Sequence, residues 1–339
     1  MALKYFDGFD YLNSANGAVL TSLGYYGNPS ISVGNGRFGG NALSIGYSGY
    51  VAKTLGVNIT TGFVGFALNL AYGGLATFGI GDVTNGTAPQ FTVQFNTYGV
   101  IGIYDSNGIL RGSSSINAWL LNTWAYIEVG FTIAGGTAGS VTVRVNGAVV
   151  VTVPGLLTQA SSNGWGNTLL WTNPARSNYY VDDLYVNDNS GAAPYNSFLG
   201  NVRVQAVLPA AAGSLTQFLK SSTSLSNWQC AINQNCDDTL YVYSATVGNE
   251  DLYIVSASIG AVTIYGVQVR GCYRQDDATQ RSAQTLLKSG STFATTAVVP
   301  CNQTYAFQTD GPWIVDPNTG ASWLPSAVNA LQIGPKVAA

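Results

Sequence analysis

The residues best placed to do chemistry are two adjacent carboxylates in the stretch VDDLYVNDNSG, residues 181–191. Asp182 and Asp183 could form an acid/base pair, supply half of a calcium site, or line the polar lip of a buried strand. Glycoside hydrolysis needs two carboxyls about 5 Å apart for retention and further apart for inversion. Counting by twos along YYVDDLYV puts Tyr180, Asp182, Leu184 and Val186 on one face, and Tyr179, Val181, Asp183 and Tyr185 on the other. Each face then carries one aspartate, so the pair is not expected to converge on a substrate. One carboxylate is expected at a sheet rim, bonded to loop amides, and the other in water. The two glutamates of the chain, Glu128 and Glu250, fall in different proposed domains. Histidine is absent, which removes Ser-His-Asp and Cys-His schemes. A serine-lysine dyad has no local pattern to support it. No catalytic residue is expected, and the chain reads as a non-enzyme.

A second constellation lies just upstream, in SSNGWGNTLLWTNPARSNYY, residues 161–180. Trp165, Trp171, Tyr179 and Tyr180 stand there among Asn163, Asn167, Asn173 and Asn178. Aromatic faces cover the apolar C–H groups of sugars while amides read hydroxyls. Trp165, Trp171, Asn173, Tyr179 and Tyr180 are therefore the candidate glycan-binding residues. The competing reading puts Trp171 in the core and Trp165 in a subunit contact. Calcium needs several oxygen ligands at close range, of which Asp182, Asp188 and Asn189 could supply some. Turns of this composition form without metal, and neither a metal nor another cofactor is expected. GNGRFGGN supplies turn and bulge glycines, not a phosphate cradle with a following helix and lysine. The four cysteines, Cys230, Cys236, Cys272 and Cys301, match no zinc spacing. The favoured pairing is Cys230 with Cys236 and Cys272 with Cys301, and buried free thiols stand as an equal alternative.

The elements that must position these groups are strands. The chain has 339 residues, only 9% of them charged, with a net charge of −3 and 41 glycines. Abundant Val, Thr and Tyr with Gly and Asn punctuation reads as all-β rather than disordered. No basic cluster points to nucleic acid. No apolar run reaches the roughly 18 residues that cross a bilayer. MALKYFDGFD places aspartate where a secretory signal would be apolar, so a soluble chain made in the cytoplasm is expected. Strand-like runs recur every 8 to 15 residues or so, the rhythm of a sandwich. The clearest is SVTVRVNGAVV, with Val141, Val143 and Val145 on one face and Asn146-Gly147 as a two-residue hairpin turn. Length suggests two domains, 1–192 and 193–339. In the second, 261–274 and 281–289 read as a long hairpin.

The order of YFDGFDYL, GRFGGNALSI (36–45), the paired strands TWAYIEVGFTI and GSVTVRVNGAVV, and YVDDLYVNDNSG resembles the concanavalin A-like jelly roll in its laminin-G-like form. FDGFDYL, DDLYVNDNSGAAPYNSFLGNVRVQAVLP (182–209) and VDPNTGASW (315–323) further resemble a group of tailed-bacteriophage virion structural proteins. That resemblance implies two β-sandwich domains, the first a jelly roll, on the tail, neck or capsid exterior of a virion. It implies other virion proteins as partners and an origin in the bacterial host cytoplasm. Low charge lessens repulsion between copies, so a homo-oligomer is expected, a trimer by analogy with fibres. Glucanases of this fold share a Glu-x-Asp-x-x-Glu strand, and no segment here matches it. The expected function is structural, through subunit contacts and surface display. The alternative is a carbohydrate-binding receptor protein that meets a host surface glycan through the first domain.

Overall fold

The computed structural model describes residues 3–13, 17–71, 74–82, 89–160, 162–174 and 177–339. It divides into two compact units, 1–205 and 206–339. The first contains β1 (Leu3–Asp7), α1 (Gly17–Ser22), β2 (Tyr25–Gly27), β3 (Ser30–Ser32), β4 (Ala42–Ile45), β5 (Tyr50–Ile59), β6 (Thr61–Leu70) and β7 (Ala76–Gly81). It continues with β8 (Pro89–Phe95), β9 (Ile101–Tyr104), β10 (Leu110–Ser113), β11 (Ala125–Thr132), β12 (Gly139–Val145), β13 (Ala148–Leu156), β14 (Gly166–Thr172) and β15 (Tyr179–Asp188). An eight-stranded sheet runs β13-β12-β11-β6-β15-β4-β3, with β1 also on β15. A seven-stranded sheet runs β10-β9-β8-β7-β14-β5-β2. Every pairing is antiparallel, and the chain crosses between the sheets repeatedly, as at β4–β5, β5–β6, β6–β7, β10–β11, β13–β14 and β14–β15, which makes the unit a jelly-roll sandwich.

Alternation decides which side chains fill the space between the sheets. In β12, Val141, Val143 and Val145 are buried while Ser140, Thr142 and Arg144 are half-buried. The turn behind them has φ of 50° at Asn146 and 87° at Gly147, the left-handed pair that a two-residue hairpin requires. From the opposite sheet Phe78, Phe95 and Trp171 meet Phe66 of β6, with ring centroids 5.0, 6.5 and 6.0 Å from it. Burying each such ring contributes about 2–3 kcal/mol, and the edge-on pairs add to that.

The first unit extends past residue 192, where the sequence had placed its end. Residues 198–204 lie as a strap over the outward face of the eight-stranded sheet. Phe198 packs edge-on against Phe63 at 4.9 Å, and the Arg144 guanidinium lies 4.0 Å above the Phe198 ring. Val204 N–H donates to Asp183 Oδ1 at 2.7 Å.

The second unit is also β-rich. It contains β16 (Pro209–Thr216), β17 (Leu219–Lys220), α2 (Asn227–Ala231), β18 (Val242–Tyr243), β19 (Asp251–Val255) and β20 (Arg270–Tyr273). Then follow β21 (Ser282–Ser289), β22 (Thr292–Thr295), β23 (Val299–Pro300), β24 (Ala306–Thr309), α3 (Pro325–Asn329) and β25 (Gln332–Val337). The main sheet runs β16-β19-β25-β21-β22, with β23 on β21. Its core joins Val255, Leu287, Trp323, Val328 and Leu331 to Val269, which leads into β20. The expected hairpin of 261–274 with 281–289 does not form. β20 pairs with β24 instead, and this ribbon touches the main sheet where Tyr273 Oη meets Thr285 Oγ1 at 2.9 Å. Among the described residues, no helix is long and apolar enough to cross a membrane.

Candidate functional site

Asp182 and Asp183 do converge, because β15 is bulged between them. β15 follows β6 with Asp182 opposite Ala67, then slips so that Tyr185 stands opposite Gly65. Asp183 takes φ of 49°, a left-handed conformation that breaks the two-residue alternation. Both side chains are buried. Arg37 N–H donates to Asp182 Oδ2 at 2.8 Å, and its guanidinium reaches Asp183 Oδ2 at 3.2 Å. Asp183 N–H donates to Asp182 Oδ1 at 2.7 Å. With Val204 on Asp183 Oδ1, all four carboxylate oxygens accept from the protein itself. Opposite faces, with one carboxylate in water, are thus corrected by a single bulge.

Burial, and then the neighbouring Asp183, pushes Asp182 up to about 8. Burial raises Asp183 as well, although Arg37 and the Val204 amide pull the other way. Arg37 also donates to the Val202 carbonyl at 3.0 Å and to Asn201 Oδ1, and lies 5.0 Å over the Tyr126 ring. The pair therefore clamps the strap to the sheet. It is architecture built from charge.

The other motif stretches meet the same place. Asp10 Oδ1 accepts from Asn41 N–H at 2.8 Å. A Cβ on Gly40 would fall 1.8 Å from that carboxylate, and one on Gly8 would fall 2.2 Å from the Val204 carbonyl. Asp7 accepts the hydroxyls of Tyr5, Tyr25 and Tyr11 at 2.6, 3.1 and 3.2 Å. FDGFDYL, GRFGGN, the aspartate pair and the strap are one junction. Beside it, Glu128 is fully buried, and its Oε1 accepts Tyr185 Oη at 2.6 Å and Gly200 N–H at 2.8 Å. The oxygens weighed for calcium are apart. Asp182 faces Arg37, whereas Asp188 pairs with Lys4 Nζ at 2.7 Å and with Ser190. Among the described residues, no three His, Cys, Asp or Glu side chains are grouped to hold a metal ion.

The five residues proposed for glycan binding are not brought together. Trp171 and Tyr179 belong to the core, the Tyr179 hydroxyl donating to the Thr172 carbonyl at 3.1 Å. Asn173 is buried as a loop brace, donating to Ile45 O and Ser177 O at 3.0 and 2.9 Å. Tyr180 is half-buried on β15 of the eight-stranded sheet. Trp165 is half-buried and precedes β14, its carbonyl accepting Gln90 Nε2 at 2.7 Å. Three of the five are thus interior, and the remaining two are apart, Tyr180 on β15 of the eight-stranded sheet and Trp165 in the loop that leads into β14 of the seven-stranded sheet.

A different surface emerges on the outward face of the seven-stranded sheet. Inward-facing Phe78, Phe91, Val93, Phe95, Leu169 and Trp171 leave the alternate positions pointing away from the core. Register then aligns two rows across the strands. One runs Tyr26, Ala52, Leu170, Gly79, Thr92, Tyr104. The other runs Tyr50, Thr172, Thr77, Gln94, Gly102. Neither row contains a charged residue. Tyr50 is 43% exposed, and Tyr26, Tyr104, Thr92 and Gln94 are half-buried. Rings stand towards both ends, with hydroxyls, an amide and two glycines between them. The signal was present in ATFGIG and QFTVQF, where every second residue is small or polar.

No family model matches this chain, and no curated protein matches it in sequence. Solved structures with a similar chain trace include the endo-β-1,4-glucuronan lyase of the fungus Trichoderma reesei, 14% identical over 55% of this chain and 95% of that one, with a TM-score of 0.37. A conserved carbohydrate esterase from the Shiga toxin-encoding bacteriophage phi24B matches at 14% identity over 55% of this chain and all 100% of its own, with a TM-score of 0.37. A carbohydrate-binding module from Bacillus subtilis matches at 7% identity over 49% of this chain and 96% of its own, with a TM-score of 0.36. The expectation of a non-enzyme is corrected by these findings, since a lyase and an esterase are among the proteins of similar trace.

Proposed function

We propose that this chain is a structural protein of a tailed-phage particle whose first unit binds glycans on the outward face of its seven-stranded sheet. The observation that carries the glycan reading is the pair of uncharged rows from Tyr26 to Tyr104 and from Tyr50 to Gln94. Tyrosine rings give flat apolar surface at small entropic cost, and Thr and Gln between them offer donors and acceptors to sugar hydroxyls. Gly102 lets the Tyr104 ring lie down against the sheet, a Cβ there falling 3.1 Å from the ring edge. The virion reading is supported by the motif stretches that resemble phage structural proteins, and by the 9% charge content, which suits packing of many copies.

A glycan array probed with the full chain tests this function. Binding to a defined set of oligosaccharides is expected, reduced about tenfold or more by Tyr104→Ala, since stacking of this kind is worth roughly 1–2 kcal/mol. An array on which wild type binds nothing, or on which Tyr104→Ala binds as wild type does, overturns the proposed site.

A further inference from the structure

The favoured pairing of Cys230 with Cys236 and of Cys272 with Cys301 is not what the second unit brings together. All four are thiols in this structure, Cys230 and Cys301 buried and the other two half-buried. Cys236 and Cys272 are hydrogen-bonded neighbours, one from the loop after α2 and the other from β20. Two residues further along each stretch a second contact repeats the first. Arg274 Nε and Nη2 donate to Asp238 Oδ1 at 3.0 and 2.7 Å, and Tyr305 Oη donates to the same oxygen at 2.9 Å. The loop is therefore laid along β20, thiol beside thiol and carboxylate beside guanidinium. Within the loop, Asp237 accepts from Asn233 Nδ2 at 2.8 Å and Thr239 N–H at 3.0 Å, which holds the turn carrying Cys236 in shape. Cys236 itself has φ of 50°.

We propose that Cys236 and Cys272 are a redox-closable pair, which a low-molecular-weight disulfide converts into a cross-link fastening the 233–241 loop to β20. With oxidised glutathione as the reagent, the Cys236 sulfur loses its proton to water and attacks one sulfur of the glutathione disulfide. One glutathione thiolate leaves. The Cys272 sulfur then loses its proton and attacks Cys236 in the mixed disulfide, expelling the second glutathione thiolate. Two protein thiols are oxidised and one glutathione disulfide is reduced to two thiols. Exchange begins at Cys236, because its hydrogen bond to Cys272, together with burial, holds the Cys272 thiol well above the usual range. The buried Cys230 and Cys301 stay reduced.

The test incubates the folded full chain with oxidised glutathione, alkylates the remaining thiols and maps peptides without reduction. The expected product has lost two hydrogens, contains one peptide pair joined through Cys236 and Cys272, and retains alkylatable Cys230 and Cys301. Its unfolding midpoint for the second unit rises by about 5 °C and returns with dithiothreitol. Cys272→Ser should stop at a stable glutathione adduct on Cys236, which shows that the second sulfur resolves the first. Four alkylatable thiols after prolonged oxidation, or a link that uses Cys230 or Cys301, overturns the proposal.

Discussion

The two outward faces of the jelly roll are built from opposite materials. On the eight-stranded sheet, Arg37, Asp182, Asp183, Glu128 and Tyr185 lie under the strap 198–204 and are hydrogen-bonded to it or to one another, while the second carboxylate oxygen of Glu128, Oε2, is buried without a hydrogen-bond partner. On the seven-stranded sheet the aligned rows hold tyrosines, threonines, glutamine and glycines, with no charge. A chain with 9% charged residues has placed a cluster of them where a segment must be held down. Buried charge is costly unless paired, so such a cluster fixes one arrangement of the strap and tolerates little else. The aligned rows of the seven-stranded sheet contain no such cluster.

The sharpest way to break this contrast is Arg37→Ala. It leaves Asp183 buried without its counter-ion and frees the Val202 and Asn201 contacts, so a loss of about 3–5 kcal/mol in chemical unfolding is expected. A loss under 1 kcal/mol would mean that the clamp does not hold the strap. A pH series sharpens the same face. The carboxyl of Asp182 titrates at about 8 when folded against 3.8 for the free group, so the folded state binds the extra proton between those values. Stability is therefore fullest below about pH 4 as far as this group is concerned, and falls as pH rises towards 8. Asp182→Asn should remove roughly 2–4 kcal/mol of that fall, read as a flatter plot of unfolding free energy between pH 5 and 8. Tyr185→Phe loses the bonds to Glu128 and from Leu199 N–H and should cost about 1–3 kcal/mol. On the other sheet Gln94→Ala should move stability by no more than about 0.5 kcal/mol, while weakening glycan binding several-fold. Equal destabilisation by Gln94→Ala and Tyr185→Phe would erase the distinction between the faces.

Much of this fold is legible in the sequence, because period-two patterning and turn chemistry are local. The Val141, Val143 and Val145 face and the Asn146-Gly147 turn follow directly from residue type. The aspartate pair was misplaced because the count by twos assumes an unbroken strand, and nothing in YYVDDLYV announces a left-handed Asp183. The reach of the first unit to residue 205 was hidden for a related reason, since strap contacts such as Phe198 on Phe63 span distant parts of the chain. The glycan set failed through composition. Trp171 shares its strand parity with Leu169 and so belongs inside, whereas Thr77, Thr92 and Gln94 are inconspicuous until register aligns them. Thiol proximity between Cys236 and Cys272 likewise needs the loop laid against β20, which spacing alone does not supply.

Hydrogen–deuterium exchange of the full chain, with and without an oligosaccharide that it binds on the array, tests the central claim most directly. Protection gained in 166–172, 76–81 and 89–95 is the predicted result, because these strands carry the middle of both rows. Protection confined to the loop 162–165 or to the strap 198–204 would contradict it.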